Sequence, residues 1–412
     1  MWLRLYAYGL VGSVYLDQFL WFVYLLRLGY SPAAIGVAYA VMQAVRFALD
    51  VPSSMLSDRF GQRPLLVLAS LLKAVSSVLF LLAAHGFAFV VVGSAVTAMA
   101  LTLPSGVDLS YVRSLSDRDP HKAGAERLQF RLSRYMGMQA LAGLAAGVIG
   151  GAIASWSFPL LYQLDAAIGL VAAAIAQALP NLRPPRAPAA FGATRAALWH
   201  GLREVAAARP AFWQLALLII PLWTFSSVGT EYTQALLLRV GLQPFGISLA
   251  FAGAGLAAWF GTLASGGVTE RRRSAVLRAI VWLYPLSALV RSLAVPGRGG
   301  ARVAGISGIF VGRLGSGASG VLVNTALLDR APEDHRATAL SAVNTLQMAC
   351  MLVLFPVLGL VAGREGVAFA FALLAGGLAV VAIGLQFALR RGDGEPLAPR
   401  TDRVEPGAEI RR

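Results

Sequence analysis

The sequence predicts an all-α membrane protein with twelve transmembrane helices, and its composition is the first reason. Of the 412 residues, 57% are hydrophobic and 13% are charged, whereas charged residues make up about a quarter of soluble domains. The net charge of +15 is spread along the chain and forms no basic patch with interleaved aromatic side chains, so nucleic acid is not an expected partner. This composition indicates an integral membrane protein.

Hydropathy patterning is the second reason. Apolar runs of about twenty residues, the length that crosses ~30 Å of hydrocarbon, recur between short polar segments. Their approximate bounds are 3–26, 32–57, 65–84, 87–112, 135–155, 158–179, 212–238, 245–268, 274–295, 303–328, 337–362 and 366–389.

The distribution of positive charge is the third reason, and it also predicts the orientation. With the N-terminus inside, 26 of the 35 Lys and Arg residues fall in cytoplasmic segments and six in outer ones, as the positive-inside rule requires. One run more or fewer would reverse every later loop and destroy this asymmetry. We therefore expect a multi-pass protein of the cell membrane with both termini cytoplasmic.

The longest polar segment follows the sixth run and separates two groups of six runs. It is rich in proline and arginine. Its later part, residues 194–208, has a helical composition and either lies along the membrane surface or forms a flexible tether. We expect an N-terminal six-helix half at 1–179, a cytoplasmic linker at 180–210, a C-terminal six-helix half at 211–391 and a disordered cytoplasmic tail at 392–412.

A charged turn recurs at the equivalent point of the two groups of runs. Between the second and third runs the chain reads Asp58-Arg59-Phe60-Gly61-Gln62-Arg63, four residues after Ser54. Between the eighth and ninth runs it reads Glu270-Arg271-Arg272-Arg273, four residues after Gly266. The shared placement indicates an internal duplication of the six-run unit.

These turns resemble the cytoplasmic signature of the Major Facilitator Superfamily, in which Gly, three residues, Asp-Arg, any residue and Gly precede two arginines. Segments 104–115 and 332–341 extend the resemblance over nearly the whole chain. The resemblance implies two six-helix halves around a central cavity, lined by helices 1, 4, 7 and 10 and open to each side in turn. It also implies a gating role for Asp58, Arg59, Gly61, Arg63, Glu270 and Arg271.

Four positions depart from the family pattern. Ser54 replaces the first glycine of the signature and Gln62 one of its arginines, and Arg113 stands where relatives carry an acidic partner for the turn. In the fifth run, Val148 replaces the proline of a glycine-rich antiporter signature. The glycines of that run still predict a close approach between its helix and a partner.

Eight charged side chains are assigned to the runs, with the basic residues near run ends counted in the adjoining loops. They are the acidic Asp17, Asp50, Asp108, Asp165 and Glu231 and the basic Arg46, Lys73 and Arg313. Each charge costs about 2.5 to 3.5 kcal/mol at the bilayer centre on insertion scales, so each requires a partner, water or a function. Two carboxylates lack a basic partner within this set, and a desolvated carboxyl group can exchange a proton near neutral pH. The candidates for proton coupling are Glu231, Asp17, Asp50 and Asp108.

Polar and aromatic neighbours of these groups predict the substrate cavity. Asp17 shares one helical stripe with Trp21 and Tyr24. Glu231 lies in a patch of Ser, Thr and Gln beyond a helix break expected at Pro221; the alternative is that it sits at the outer end and reaches interfacial water. The cavity candidates are Trp21, Tyr24, Arg46, Trp223, Gln234 and Arg313.

Structural explanations compete at other positions. Asp17 can bond to a neighbouring helix, and Arg46 and Asp50 can pair at i, i+4 spacing. Lys73 and Asp165 fall on peripheral runs, where pairing or snorkelling explains them.

The predicted function is secondary active transport, with proton-coupled export of a small amphipathic organic compound as the first hypothesis. The alternatives are uptake of a small metabolite, anionic if Arg46 or Arg313 binds it, and a membrane receptor that transports nothing. An enzyme is not expected, because the sequence shows no nucleophile and base, phosphate-binding loop or metal-ligand cluster, and Cys350 is its one cysteine. We expect a monomer without cofactor or metal, whose partners are the substrate, protons and the lipid bilayer.

Overall fold

The computed structural model describes residues 1–105, 107–117, 125–182, 210–330 and 336–392, and their regular elements are helical. The N-terminal half, residues 1–182, forms α1 (Trp2–Gly12), α2 (Trp21–Arg27), α3 (Pro32–Phe60), α4 (Gln62–Leu81), α5 (Phe87–Thr102), α6 (Val107–Asp117), α7 (Ala125–Trp156) and α8 (Phe158–Gln177). The C-terminal half, residues 210–392, forms α9 (Pro210–Arg239), α10 (Pro244–Gly266), α11 (Glu270–Ile280), α12 (Leu283–Ser292), α13 (Ala301–Arg330), α14 (Arg336–Arg364) and α15 (Val367–Gly392).

The described part of the chain contains the twelve predicted membrane crossings. Eleven helical segments are each long and apolar enough to cross a membrane. The remaining crossing is the first, in which α1 ends at Gly12 and α2 begins at Trp21. The predicted all-α membrane fold is therefore confirmed, and the structure divides the first crossing in a way that the apolar run did not reveal.

Proline has different effects in two other crossings. α5 and α6 form one crossing with a turn at residues 103–105, where Pro104 has no N–H to continue the helix. By contrast, α9 runs unbroken through Pro221. The helix break expected at Pro221 is therefore wrong, because a membrane helix packed among neighbours tolerates proline.

Helix pairs within and between the halves position the interior side chains. α4 packs along α8 and α10 along α13, while α3 lies along α14 and α7 along α10, which joins the two halves. Glycine permits the closest approach between α10 and α13. A Cβ at Gly261 would overlap the Leu314 carbonyl, and a Cβ at Gly317 would overlap the Ala258 carbonyl. These two helices therefore pack backbone to backbone.

Several contacts between the halves lie near one end of the molecule, where turns precede α3 and α10 and follow α14. The Tyr232 hydroxyl of the C-terminal half lies 3.4 Å from the Pro32 carbonyl at the start of α3, and it donates to the Phe355 carbonyl of its own half at 2.7 Å. Gly36 and Gly359 leave room for this hydroxyl, since a Cβ at either would lie within 2.9 Å of it. The charge asymmetry predicts that this end faces outside, and we call it the outer end.

The charged turn between α3 and α4 is as short as its sequence predicts. Gly61 has a φ of +85°, a left-handed conformation that favours glycine, and a Cβ there would overlap the Asn181 side chain. Gln62 donates to the Ser110 hydroxyl at 2.7 Å and so connects α4 to α6. Arg63 is half-buried, and its Nε has no hydrogen-bond partner.

Some expectations concern residues outside the described part. The side chains of Asp50, Asp58, Arg59, Glu270 and Arg271 lie outside it, as do residues 183–209 and 393–412. The gating contacts, the Arg46–Asp50 pair, the linker and the tail remain predictions.

Candidate functional site

Residues 13–20 interrupt the first crossing, and their backbone groups require partners because the membrane interior offers none. The Lys73 ammonium group donates to the Val14 carbonyl. The Leu16 N–H donates to Asp165 Oδ1 at 3.1 Å. The Asp17 carbonyl accepts from the Trp21 N–H at 2.9 Å, which starts α2. Two charged side chains from α4 and α8 therefore hold the interruption in place.

Lys73 and Asp165 also pair with each other. Their charged atoms lie 3.7 Å apart, and the two side chains are 2% and 3% exposed. Ser77 donates to the second Asp165 oxygen at 3.0 Å, and the Lys73 nitrogen lies 4.2 Å from the centroid of the Tyr15 ring. The Asp17 carboxyl group is within electrostatic range of both charges. The sequence analysis considered pairing or snorkelling and did not foresee that the pair binds the backbone of the first crossing.

A glycine groove on α7 receives the interrupted segment. The Gln18 amide donates to the Gly143 carbonyl. A Cβ at Gly147 would overlap the Phe19 ring, and a Cβ at Gly150 would overlap the Leu16 carbonyl. The predicted close approach of the fifth membrane helix is confirmed, and its partner is the interruption.

Glu231 on α9 binds side chains from both halves. The Trp21 indole N–H donates to Glu231 Oε2 at 2.7 Å. The Gln234 amide donates to the same oxygen at 2.7 Å and accepts from the Phe22 N–H at 3.3 Å. We call Trp21, Glu231 and Gln234 the Glu231 joint. It connects the start of α2, directly after the interruption, to α9 of the other half.

Aromatic rings surround the joint on the side of α3 and α14. Trp21 stacks on Tyr39, with ring centroids 5.6 Å apart, and Tyr39 stacks on Phe355 at 3.7 Å. Phe22 meets Tyr232 edge to face at 5.1 Å. The carboxylate thus lies beside a flat apolar surface, and a compound with one polar group and one apolar face would suit that combination.

Two arginines of the C-terminal half lie near the joint, Arg313 half-buried and Arg291 buried. Arg313 on α13 interacts electrostatically with Glu231, and its Nε has no hydrogen-bond partner. Arg291 on α12 is 2% exposed, its Nε and Nη1 are also without partners, and its guanidinium carbon lies 5.6 Å from the Phe225 ring and 5.3 Å from the Phe371 ring.

The sequence analysis missed Arg291 and counted it with the basic residues of the outer side. The structure buries it because α12 faces the bundle along the stripe of Tyr284, Ser287 and Arg291. Glycines on α13 make room for the side chain: a Cβ at Gly308 would lie 2.5 Å from Arg291 Cγ, and one at Gly312 would lie 2.9 Å from Arg291 Nη2. The three- and four-residue spacing of the polar stripe was the signal that could have identified it.

A cavity of about 290 Å³ opens in the N-terminal half beside the interruption. Its lining residues are Tyr8, Gly12, Ser13, Tyr15, Leu101, Pro104, Ser105, Asp108 and Gln139. Asp108 Oδ2 accepts from the Gln139 amide at 3.1 Å, and Asp108 Oδ1 accepts from the Leu109 N–H at 2.8 Å. Asp108 is therefore a cavity-wall carboxylate, separate from the Glu231 joint.

The other cavity candidates are dispersed. The Tyr24 hydroxyl donates to the Phe80 carbonyl at 3.0 Å inside the N-terminal half. Tyr24 lies on α2 with Trp21 but packs inside the N-terminal half, against the rings of Phe158 and Tyr162. Arg46 lies 3.5 Å from Gln43 on α3. Trp223 is partly buried on α9, and the structure does not bring it to Glu231.

In the described residues, no three His, Cys, Asp or Glu side chains gather where they could hold a metal ion. The charged groups of the site are instead arranged in two sets. Asp17, Lys73 and Asp165 surround the interruption, and Glu231, Arg313 and Arg291 lie in the C-terminal half. Chemically, the site can bind protons on carboxylates and an organic compound against aromatic rings and guanidinium groups.

Comparisons with known proteins agree with this architecture. The sequence pattern of the Major Facilitator Superfamily matches residues 9–354. No curated protein matches the sequence. The fold is similar to that of the nucleoside transporter NupG, with a TM-score of 0.74 at 10% identity over 94% of this chain and 99% of that one. A bacterial homologue of the human lysosomal transporter Spinster, inward-facing and unoccupied, gives 0.71 at 18% identity over 94% and 96%. The peptide transporter POT in complex with sulfate gives 0.69 at 16% identity over 95% and 92%.

Proposed function

The chain belongs to the Major Facilitator Superfamily and is a multi-pass secondary transporter, and we propose that it exports a small amphipathic organic compound in exchange for protons. The superfamily is not enzymatic, and its members act on small molecules across a lipid bilayer. We further propose that both termini lie in the cytoplasm. The observation that supports the exchange is the position of the Glu231 carboxylate at a contact between the two halves.

An ionised Glu231 favours the closed outer end. Its oxygen accepts at 2.7 Å from Trp21 of the N-terminal half, and this bond crosses the interface; it also accepts at 2.7 Å from Gln234 on its own helix. Hydrogen bonds to a charged acceptor are about twice as strong as neutral ones. An empty transporter with Glu231 ionised is therefore held closed to the outside.

The exchange of substrate for protons follows from two events that can weaken the Glu231 joint: binding of the substrate and protonation of Glu231. A substrate arriving from the cytoplasm can take over the hydrogen bonds of Trp21 and Gln234 and stack on Tyr39, which frees the outer end to open. Outside, a proton on Glu231 displaces the substrate. The neutral carboxyl group still accepts weaker hydrogen bonds from Trp21 and Gln234, so the protonated transporter is able to close again. Release of that proton to the cytoplasm restores the joint. The proton and the substrate then compete for one site, which is the linkage that an exchanger requires.

The experiment is transport in proteoliposomes with an imposed pH gradient, over a panel of amphipathic compounds. We expect at least one compound to move against its gradient, in the direction opposite to the protons. Its binding to the purified protein should weaken as pH falls, because protonation of Glu231 competes with it. Transport that is indifferent to the pH gradient for every transported compound would contradict the proposal.

Uptake of an anionic metabolite is the second candidate, and the two arginines favour it. In the described interior of the C-terminal half, Glu231 is one carboxylate against Arg313 and Arg291. An anion bound to Arg313 would neutralise the positive charge that stabilises the ionised Glu231. Substrate and proton would then bind together, and an inward proton gradient would drive uptake.

The sign of the pH dependence separates the two candidates. Exchange predicts weaker substrate binding at lower pH, whereas uptake with a proton predicts stronger binding. Under the second candidate, Arg313→Gln should abolish binding of the anion. Arg302→Gln is the matched control, since Arg302 donates to the Val240 carbonyl at the outer end and lies outside the site.

A further inference from the structure

A groove of about 460 Å³ lies between the start of α1 and the start of α7, away from the transport site. It is lined by Trp2, Tyr6, Phe130, Arg131 and Arg134. None of these five residues is acidic, and two carry a permanent positive charge. The groove therefore has the charge that an anionic ligand requires.

Aromatic rings of α1 hold the two arginines of α7. The Arg131 guanidinium carbon lies 4.4 Å from the centroid of the Trp2 ring, and that of Arg134 lies 5.0 Å from the Tyr6 ring. Arg131 also donates to the Ser116 hydroxyl at 3.0 Å. These contacts fix the positions of two long side chains before a ligand arrives, which lowers the entropy cost of binding.

The groove lies at the level where a membrane changes from headgroups to acyl chains. The apolar crossing formed by α7 begins at Leu128, so both arginines lie within its first two turns. Leu3 is 82% exposed and Phe130 is 67% exposed. Basic and aromatic residues next to exposed apolar ones are typical of the membrane interface.

We propose that this groove binds the headgroup of an anionic phospholipid of the cytoplasmic leaflet. The phosphate lies between Arg131 and Arg134, where planar guanidinium groups donate to its oxygens. The acyl chains lie along Leu3 and Phe130. The lipid rather than a soluble phosphate is the occupant, because the apolar residues extend the basic groove into the hydrocarbon region.

Such a lipid would join the two helices that surround the interruption. α1 ends where the interruption begins, and α7 carries the glycine groove that receives it. A headgroup bound to α7 and packed against the rings of α1 would hold their cytoplasmic ends together. The lipid would then stabilise the N-terminal half and increase the transport rate.

The test uses the full-length protein in nanodiscs of phosphatidylcholine, with or without phosphatidylglycerol. The variant is Arg131→Gln with Arg134→Gln. The control is Arg113→Gln with Arg272→Gln, which removes two exposed arginines of the same predicted side that lie outside the groove. Native mass spectrometry measures the retained phosphatidylglycerol, and thermal unfolding measures the Tm.

We expect the wild type and the control to retain phosphatidylglycerol and to gain several degrees of Tm from it, and the groove variant to lose both effects. Equal retention and equal stabilisation in the groove variant would overturn the proposal. Inorganic phosphate added to phosphatidylcholine nanodiscs should leave the Tm unchanged, and stabilisation equal to that by the lipid would also overturn it. If the double variant does not fold, Arg134→Gln alone should retain less lipid than Arg113→Gln, and equal retention would again be contradictory.

Discussion

At the scale of single residues, one carboxylate oxygen of Glu231 connects the two halves of the protein. Each hydrogen bond to a charged group contributes about 1.5 to 3 kcal/mol net. The Trp21 bond crosses the interface between the halves, and its contribution is comparable to the few kcal/mol that separate the alternative states of a typical transporter. Gain or loss of the charge on Glu231 is therefore sufficient to change which state predominates.

Trp21→Phe removes the indole donor and keeps an aromatic ring to stack on Tyr39. We expect the outward-open state to become at least about tenfold more populated, because a charged hydrogen bond of about 1.5 kcal/mol or more is lost. Distances between spin labels at the outer ends of α3 and α14 measure this shift. Trp223→Phe is the control, and an equal shift in both variants would show that the indole bond to Glu231 has no special role.

Variants of Lys73 and Asp165 can distinguish the pairing of these two side chains from their contacts with the backbone of residues 13–20. Removal of one partner, as in Lys73→Met, should cost about 3 to 5 kcal/mol, because the other charge stays buried. The double variant Lys73→Met with Asp165→Leu should remain less stable than the wild type, since the Val14 carbonyl and the Leu16 N–H both lose their partners. Thermal unfolding measures this, and a double variant as stable as the wild type would mean that the two side chains serve only each other.

At the scale of the helices, the interruption in the first crossing connects the carboxylates of the two halves. Lys73 and Asp165 fix its backbone, the glycines of α7 receive it, and α2 leaves it directly at Trp21. A displacement of residues 13–20 would therefore move Trp21 relative to Glu231. This is how a change of charge at Asp17 can reach the Glu231 joint.

Gly150→Ala tests the groove that receives the interruption. The added methyl group would overlap the Leu16 carbonyl, and overpacking of this kind costs about 1 to 3 kcal/mol. We expect a lower Tm and slower transport. Gly137→Ala on the same helix is the control, because a Cβ there has nothing within 4 Å and Ala is the better helix former by about 1 kcal/mol. If Gly150→Ala left the Tm and the transport rate unchanged, the interruption would be able to move without a cost in free energy.

The sequence predicts the number of membrane crossings better than it predicts where a helix is interrupted. Runs of apolar residues give the number of crossings, because spanning a bilayer leaves few alternatives to a helix. The interruption at residues 13–20 leaves no local signal, since its stability comes from Lys73 and Asp165, far away in sequence. Tyr24 packs against Phe158 and Tyr162, a contact that the helical stripe does not reveal. Pro221 was misread because proline alone does not break a packed membrane helix.

The site was partly predictable for the same physical reasons. Glu231, Gln234 and Arg313 were found because a charge or amide within an apolar run requires an explanation. The contact between Glu231 and Trp21 was found only in the structure, because it depends on how the two halves of the chain pack together. Arg291 was missed because its position near a run's outer end resembled a loop.

At the scale of the whole molecule, the two halves are joined at the outer end and the charges lie deeper within. The Tyr232 hydroxyl bond to the Pro32 carbonyl and the stacked rings of Tyr39 and Phe355 both cross the interface between the halves. Opening to the outside must break these contacts together with the Glu231 joint. In alternating access, the contacts that close the outer end then break while contacts that close the cytoplasmic end form.

The orientation of the molecule can be tested directly. Cys350 is replaced by Ala, and Ala190→Cys is introduced between the two halves. We expect a membrane-impermeant thiol reagent to label residue 190 only when it is added to the cytoplasmic side, because positive residues favour that side. Labelling solely from outside would reverse the proposed topology.

The central claim is that the charge on Glu231 couples protons to the movement of the halves. The most direct measurement compares Glu231→Gln, Asp17→Asn and the wild type in proteoliposomes, with and without a pH gradient. Glu231→Gln should lose accumulation of substrate against its gradient and keep exchange of labelled for unlabelled substrate, because the amide retains contacts but cannot change charge. Asp17→Asn should keep accumulation if Asp17 serves only to hold the interruption. A Glu231→Gln protein that still concentrates substrate at the pH optimum of the wild type would contradict the account and direct attention to Asp17, Asp50 and Asp108.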